Sequence, residues 1–139
     1  AESMLRLGIL LLQDGVWSGA RLLPEGFVAE MITPTRENPY YGLGVYVAGR
    51  YTDRRGAANP DRPMPKTLHG EPYLAADLYL FDGNSNQVVY IVPSEQLVVL
   101  RTGNNPPRKD GMEWDNAFLP NTLIRGIVAA KGTSQPQPR

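Results

Sequence analysis

The chain has 139 residues, which is a typical length for one compact domain, and 42% of them are hydrophobic. Fourteen Lys and Arg residues balance fourteen Asp and Glu residues, so no net positive field favours nucleic acid as a partner. There is no cysteine and a single histidine, which excludes disulfides, thiolate catalysis and cysteine-based zinc sites, and no apolar stretch approaches the roughly 20 residues of a membrane span.

Two helices are predicted in the first part of the chain. Residues 2–12 place apolar side chains at helical spacing, and Asp14-Gly15 offers the left-handed residue that ends helices. After a turn over residues 14–19, Pro24 is predicted to begin a second helix, which Thr33-Pro34 ends. The apolar face of this second helix is predicted to carry Phe27, Val28 and Met31.

Four strands and a last helix are predicted in the rest of the chain. Residues 40–47 alternate Leu43, Val45 and Val47 with glycines, and those glycines indicate that another group packs closely there. Three further strands are predicted at 76–81, 87–92 and 97–101, the last two joined by a short turn at 93–96. Because the last two strands are nearly continuous apolar runs, both of their faces should be covered by helices, one of them predicted at 114–130.

Two segments are predicted to lie outside this packed unit. Residues 49–72 are polar and Pro-rich, which is typical of a long functional or mobile loop. Residues 131–139 are polar and Pro-rich and are predicted to be a disordered tail. The prediction is therefore one α+β unit over residues 1–130, an antiparallel β-sheet flanked by helices, with few strands to flank its two most apolar ones.

Several segments of the chain resemble segments that follow one another in the same order in serine β-lactamase-like proteins. These proteins include class C β-lactamases, penicillin-binding carboxypeptidases and related esterases. The opening Leu5 to Gly19, followed by Leu22-Leu23-Pro24, is similar to a helix, turn and helix in the later part of that fold. Tyr41-Gly42-Leu43-Gly44-Val45 is similar to its aromatic-Gly-x-Gly strand, and the best match is residues 77–103, with Pro93-Ser94 between two apolar strands and Arg101-Thr102-Gly103 at the end. The resemblance implies that residues 1–130 are the C-terminal portion of a partial β-lactamase/transpeptidase-like fold.

The resemblance also implies a mechanism whose first parts are absent here. The family uses a Ser-x-x-Lys pair to form an acyl-enzyme, and none of the five serines of this chain has a Lys three positions later. By position, Gly83 corresponds to the Gly of the family's Lys-Thr-Gly element, and the backbone N–H of Asn84 corresponds to one oxyanion donor. Phe81 replaces the Lys or His of that element and Asn86 replaces a Gly, which puts recognition of a substrate carboxylate in doubt. An ordinary hairpin turn over residues 82–86 is the other interpretation.

The resemblance thus implies a fragment of a serine hydrolase that acts on an ester, amide or β-lactam, with its nucleophile upstream or on a second chain. It implies no metal or organic cofactor, and it favours a periplasmic or secreted setting where composition leaves localisation open. The alternative is a non-catalytic β-lactamase-like binding or interaction module.

Other residues with possible chemistry have simpler interpretations. A solvated loop explains His69 and the pair Arg54-Arg55 better than catalysis or anion binding does. Asp77 could orient a neighbour, although an ordinary strand-edge position explains it as well. Four aromatic residues could line a pocket or simply pack helices on the sheet: Trp17, Tyr40, Tyr41 and Trp114.

Overall fold

The computed structural model describes residues 1–48, 72–84, 87–104 and 116–133. Three helices lie in these ranges: α1 (Glu2–Leu12), α2 (Phe27–Met31) and α3 (Phe118–Thr133). The strands are β1 (Val16–Trp17), β2 (Ala20–Arg21), β3 (Tyr46–Val47), β4 (Tyr79–Asp82), β5 (Val88–Val92) and β6 (Leu97–Arg101). None of the described helices has the length and apolar character needed to cross a membrane.

The main sheet has four antiparallel strands in the order β3-β4-β5-β6. A separate two-stranded ribbon pairs β1 with β2. All five residues of β5 are buried, whereas all five residues of β6 are half-buried because β6 is the outermost strand of the described sheet. The predicted α+β class, with helices on an antiparallel sheet, is confirmed.

The two faces of the sheet carry separate hydrophobic cores. Since side chains alternate along a strand, Val89 and Ile91 point to the face covered by α1 and α2, and Tyr90 points to the face covered by α3. The α1 side is completed by Leu11, Val28, Met31, Val45, Val47 and Tyr79. The α3 side is completed by Ala48, Tyr73, Ala75, Leu78, Leu80, Val88, Val92, Ala117 and Ile124. Helices therefore cover both faces of β5, as its unbroken apolar run predicts.

Helix α1 lies very close to the sheet at Gly8. A Cβ atom built on Gly8 would lie 2.6 Å from Cγ1 of Val98 and 3.2 Å from Cγ1 of Val89. The helix ends where it is predicted to end, since Asp14 and Gly15 both have positive φ angles of 50° and 78°. A residue without a side chain at position 8 is what allows this close approach.

The second helix is shorter than predicted. It begins at Phe27 and not at Pro24, because Gly26 has a φ of 81° and a left-handed residue cannot lie inside an α-helix. Val28 and Met31 are buried as expected, but Phe27 is 37% exposed and does not belong to the buried face.

The predicted strand at residues 40–47 is wrong over most of its length. The regular strand covers only Tyr46–Val47, and Tyr41 pairs with Tyr46 in an isolated bridge around a tight turn. Gly44 has a φ of 80° in that turn, and Leu43 is 53% exposed and not buried. The close approach predicted at the glycines is confirmed at Gly42, where a Cβ atom would lie 2.1 Å from the Met31 carbonyl oxygen.

The remaining predicted elements differ mainly in their ends. Residues 76 and 77 form a turn and β4 begins at Tyr79, whereas β6 has the predicted bounds. Residues 18 and 19, inside the predicted turn, form the two-residue loop of the β1–β2 ribbon with positive φ angles of 49° and 81°. Helix α3 continues to Thr133, three residues into the segment predicted as a tail. Residues 49–71 of the predicted loop and residues 134–139 of the tail lie outside the described residues.

Candidate functional site

The end of the β4–β5 hairpin holds the residues that the sequence singles out. The Gly83 N–H donates to the Gln87 carbonyl oxygen at 2.9 Å, and the Gln87 N–H donates to the Asn84 carbonyl oxygen at 3.4 Å. A Cβ atom on Gly83 would lie 3.0 Å from the Gln87 carbonyl oxygen, so this position favours glycine. The hairpin therefore has a defined geometry at Gly83 and Asn84, both of which are exposed.

The side chain of Gln87 fastens this hairpin to the segment that follows β6. Its Nε2 donates to the Gly103 carbonyl oxygen at 2.9 Å, and its Oε1 accepts from the Gly103 N–H, also at 2.9 Å. The amide of Gln87 thus makes the pair of bonds that a backbone peptide makes between neighbouring strands. Arg101 Nη1 donates to the same Gly103 carbonyl oxygen at 3.2 Å, so two side chains converge on Gly103.

A surface cavity of about 350 Å³ lies on the α1 face of the sheet, beside this hairpin. Gly83 and Phe81 are among its lining residues, and Asn84 is not. The rest of the lining comes from the start of α1, the turn before β3 and the neighbouring strands: Ala1, Met4, Gly44, Asp82, Gln87, Val89, Leu100 and Thr102. The structure therefore brings one of the two predicted site residues to a cavity wall and leaves the other next to it.

The side chain of Asp82 is held on the α3 side by a buried amide. Asn116 is fully buried, and its Nδ2 donates to Asp82 Oδ2 at 3.1 Å. The Oδ1 atom of Asn116 is buried and has no hydrogen-bond partner among the described residues. Neither the spacing nor a motif links these two residues in the sequence, so sequence reasoning missed the pair.

A second buried amide connects α3 to the segment before β4. Asn121 Oδ1 accepts from the Leu74 N–H at 2.9 Å, and Asn121 Nδ2 donates to the Pro72 carbonyl oxygen at 2.9 Å. Both polar ends of a fully buried side chain are therefore satisfied, as a buried amide requires. The contact positions the chain that leads into β4 and so into the hairpin end.

Asp77 has a structural partner and does not reach the cavity. Its two carboxylate oxygens accept from the Ser94 N–H at 2.7 Å and from the Ser94 hydroxyl at 2.8 Å. These bonds hold the 3-10 turn Pro93–Glu95 between β5 and β6, after which Gln96 has a positive φ of 51°. Asp77 does orient a neighbour, and that neighbour is the turn.

The other candidate residues lie away from the hairpin end or outside the described part of the chain. Trp17 is half-buried beside a smaller recess of about 260 Å³ on the outer side of α1, formed with Arg6, Leu7, Leu10 and Leu22. The rings of Tyr41 and Tyr46 pack edge to face at 4.7 Å between centroids, which is a packing role. Five of the residues considered in the sequence analysis lie outside the described ranges: Arg54, Arg55, His69, Asn86 and Trp114.

One tyrosine buried under α1 has a perturbed acidity. Tyr79 is 1% exposed, and its hydroxyl has no hydrogen-bond partner among the described residues. Burial, with smaller contributions from the negative charges of Asp14 and Asp77, raises the pKa of Tyr79 to about 12. Its hydroxyl is therefore a proton-carrying group that stays neutral at physiological pH.

Across the residues that the structure describes, no cluster of His, Asp and Glu side chains could hold a metal ion. Comparison of the chain with protein-family models and with curated proteins finds no match.

Proposed function

We propose that this chain supplies the sheet wall and one oxyanion donor, the backbone N–H of Asn84, to a serine hydrolase of the β-lactamase-like kind. The substrate is an ester, amide or β-lactam, and the serine that forms the acyl-enzyme belongs to upstream residues or to a second chain. The attacked carbonyl carbon becomes tetrahedral, and the negative charge on its oxygen is stabilised by N–H groups aimed at it. When this intermediate collapses, the bond from the carbonyl carbon to the ester oxygen or amide nitrogen breaks, that atom takes up a proton, and an acyl-serine ester is left. Water then cleaves the acyl-serine ester and releases the acid.

The observation that supports this proposal most directly is the position of the β4–β5 hairpin end. The sequence resemblance assigns the oxyanion donor to the residue after Gly83, and Gly83 lines the cavity of about 350 Å³. The hydrogen bonds of Gly83 and Gln87 fix the backbone there, and a preorganised backbone N–H is what stabilisation of a developing charge needs.

The second candidate function is a non-catalytic binding module. Phe81 favours it, because this residue stands where the family has a Lys or His and its ring is half-buried against the α1 core. The half-buried outer strand β6 also favours it, since an edge strand can pair with a partner's strand.

Activity-based labelling separates the two candidates. The chain is tagged at its C-terminus in its native host, captured after treatment with a fluorescent penicillin or fluorophosphonate, and analysed by intact mass. A label on a larger species or on a co-purifying chain supports the hydrolase. An unlabelled species with the mass of the 15.4 kDa chain plus the tag, and no labelled chain beside it, contradicts the hydrolase and favours the binding module.

A backbone substitution tests the role of Asn84 in the labelled protein. Asn84→Pro removes the N–H, and turnover should fall by about 100-fold or more, because one oxyanion donor contributes that much. Asn84→Ala keeps the N–H and should leave turnover within about two-fold of the parent. Equal turnover in both variants, each folded by circular dichroism, would exclude Asn84 as the donor.

A further inference from the structure

We infer that the cavity beside Gly83 binds an uncharged, apolar part of the ligand, so that the substrate is a neutral ester or amide and not a molecule with a carboxylate at this position. That the ligand is a substrate rests on the proposed function. That it is uncharged and apolar rests on the residues that line the cavity.

The cavity wall is apolar because side chains alternate between the two faces of the sheet, and the face towards α1 carries apolar ones. Phe81, Val89 and Leu100 come from three neighbouring strands and lie on the face that α1 covers. Met4, 41% exposed at the start of α1, closes the wall from above. Four large apolar side chains thus surround the space, and contact with them stabilises a ligand in proportion to the apolar area that it buries.

The charges around the cavity disfavour an anion. Among the residues that line it in the described part of the chain there is no Lys, Arg or His. The one ionisable side chain among these residues, that of Asp82, is held on the α3 side by Asn116 and has the same sign as a ligand carboxylate. An ionised carboxylate that entered this space would lose hydration without gaining a cationic side chain, which is unfavourable.

The size of the cavity also fits a small organic group. Pockets that hold small molecules have volumes of about 300 to 1,000 Å³, and this cavity, at about 350 Å³, is at the lower end of that range. Its lining includes Gly83, Gln87 and Thr102 as well as the apolar side chains. A ligand with one polar carbonyl and one apolar arm matches this arrangement.

A matched pair of ligands tests the inference without any catalysis. 4-Phenylbutanamide and 4-phenylbutanoate share one skeleton and differ in charge, and their binding to the 139-residue chain is followed by amide shifts in NMR titrations at pH 7. The α-amino group of Ala1, which also lines the cavity, is acetylated first so that it offers no cation. The amide should bind at least about 10-fold more tightly, with shifts at Gly83, Val89 and Leu100. Equal binding, tighter binding of the carboxylate, or no shifts for either ligand would overturn the inference.

Variants locate the binding and keep the test independent of the proposed function. Phe81→Lys adds a cation to the wall and should reverse the preference in favour of the carboxylate. Met4→Trp fills the cavity and should abolish binding, whereas Leu22→Trp, which adds the same bulk outside this cavity, should leave binding unchanged. Binding of the amide without any serine labelling would retain the cavity assignment and reject the hydrolase. Serine labelling without binding of the amide would retain the hydrolase and reject the cavity assignment.

Discussion

At the scale of single residues, Tyr79 combines a stabilising buried ring with a destabilising buried hydroxyl. Its ring contributes to the core under α1, but its hydroxyl is buried without a described hydrogen-bond partner. A buried hydroxyl that has lost its water contacts destabilises the folded state by about 1 to 3 kcal/mol. Burial of the apolar ring stabilises the folded state by more than this, so Tyr79 can still be part of the core.

Tyr79→Phe should therefore stabilise the protein. Removing the hydroxyl and keeping the ring is expected to raise the free energy of unfolding by about 1 kcal/mol, measured by urea denaturation at pH 7. Tyr41→Phe is the control, because Tyr41 is half-buried and should change stability by less than about 0.5 kcal/mol. A lower stability of Tyr79→Phe would show that the hydroxyl has a partner.

The same substitution should alter the dependence of stability on alkaline pH. The folded-state pKa of about 12 is above the ordinary value of 10.0, so the unfolded chain loses its Tyr79 proton first. The contribution of Tyr79 to stability is thus complete below about pH 10 and is lost as the pH rises towards about 12. Tyr79→Phe should show a smaller fall in stability over this window than the parent chain does.

The sequence predicts some site residues and misses others for a clear physical reason. The hairpin turn at Gly83 and Asn84 is predicted because it lies between two apolar strands, whereas the site role of these residues comes from the family resemblance and stays a prediction. Asn116 and Asp82 are 34 positions apart, and their contact depends on how α3 lies against β4. Local patterns carry no information on such a pairing.

At the scale of elements, the contact between α1 and the sheet depends on the missing side chain at Gly8. Alanine is the better helix former by about 1 kcal/mol, so propensity alone favours Gly8→Ala. The new Cβ atom, however, would lie 2.6 Å from Cγ1 of Val98, and β-branched side chains are stiff at this position. The steric clash with Val98 should destabilise the protein by more than the higher helix propensity of alanine stabilises it.

Gly8→Ala is therefore expected to lower the free energy of unfolding by about 1 to 3 kcal/mol, the usual cost of overpacking a core. Gly126→Ala is the matched control, since Gly126 lies within α3 and a Cβ atom there meets nothing within 4 Å. The free energy of unfolding of Gly126→Ala should rise by about 0.5 to 1 kcal/mol. Thermal and urea unfolding of the two variants measures both terms, and changes of the same sign would contradict the steric argument.

Element types are easier to predict than element ends in this chain. The apolar runs of β5 and β6 and the periodicity of α1 and α3 are long enough to identify each element. Residues 40–47 alternate like a strand but contain a turn, because Gly44 has a positive φ and the Leu43 N–H donates to the Met31 carbonyl oxygen at 2.8 Å. That contact with a different element decides the local conformation.

At the scale of the whole molecule, the described sheet ends in an apolar strand. β6 carries four consecutive apolar residues before Arg101, and none of its five residues is fully buried. Edge strands are normally protected by charge, proline or a covering segment, because their open side can pair with another chain. An apolar edge strand is therefore a position at which this molecule can associate.

The purified chain should self-associate as its concentration rises. Sedimentation velocity between about 10 and 500 µM is expected to show a growing dimer or larger species. Val99→Lys, which places a charge on the half-buried edge, should reduce this association if the variant remains folded by circular dichroism. A monomer at every concentration would show that the edge is not available for pairing.

The position of α1 along the chain has a consequence for synthesis on the ribosome. The helix is made before the sheet, and the valines that contact Gly8 are at positions 89 and 98, some 80 to 90 residues later. At about 5 to 20 residues per second, translation leaves the apolar side of this helix without its docking surface for several seconds or longer. We therefore expect α1 to dock only after β6 has left the ribosome, and its apolar side to be open to chaperone binding until then.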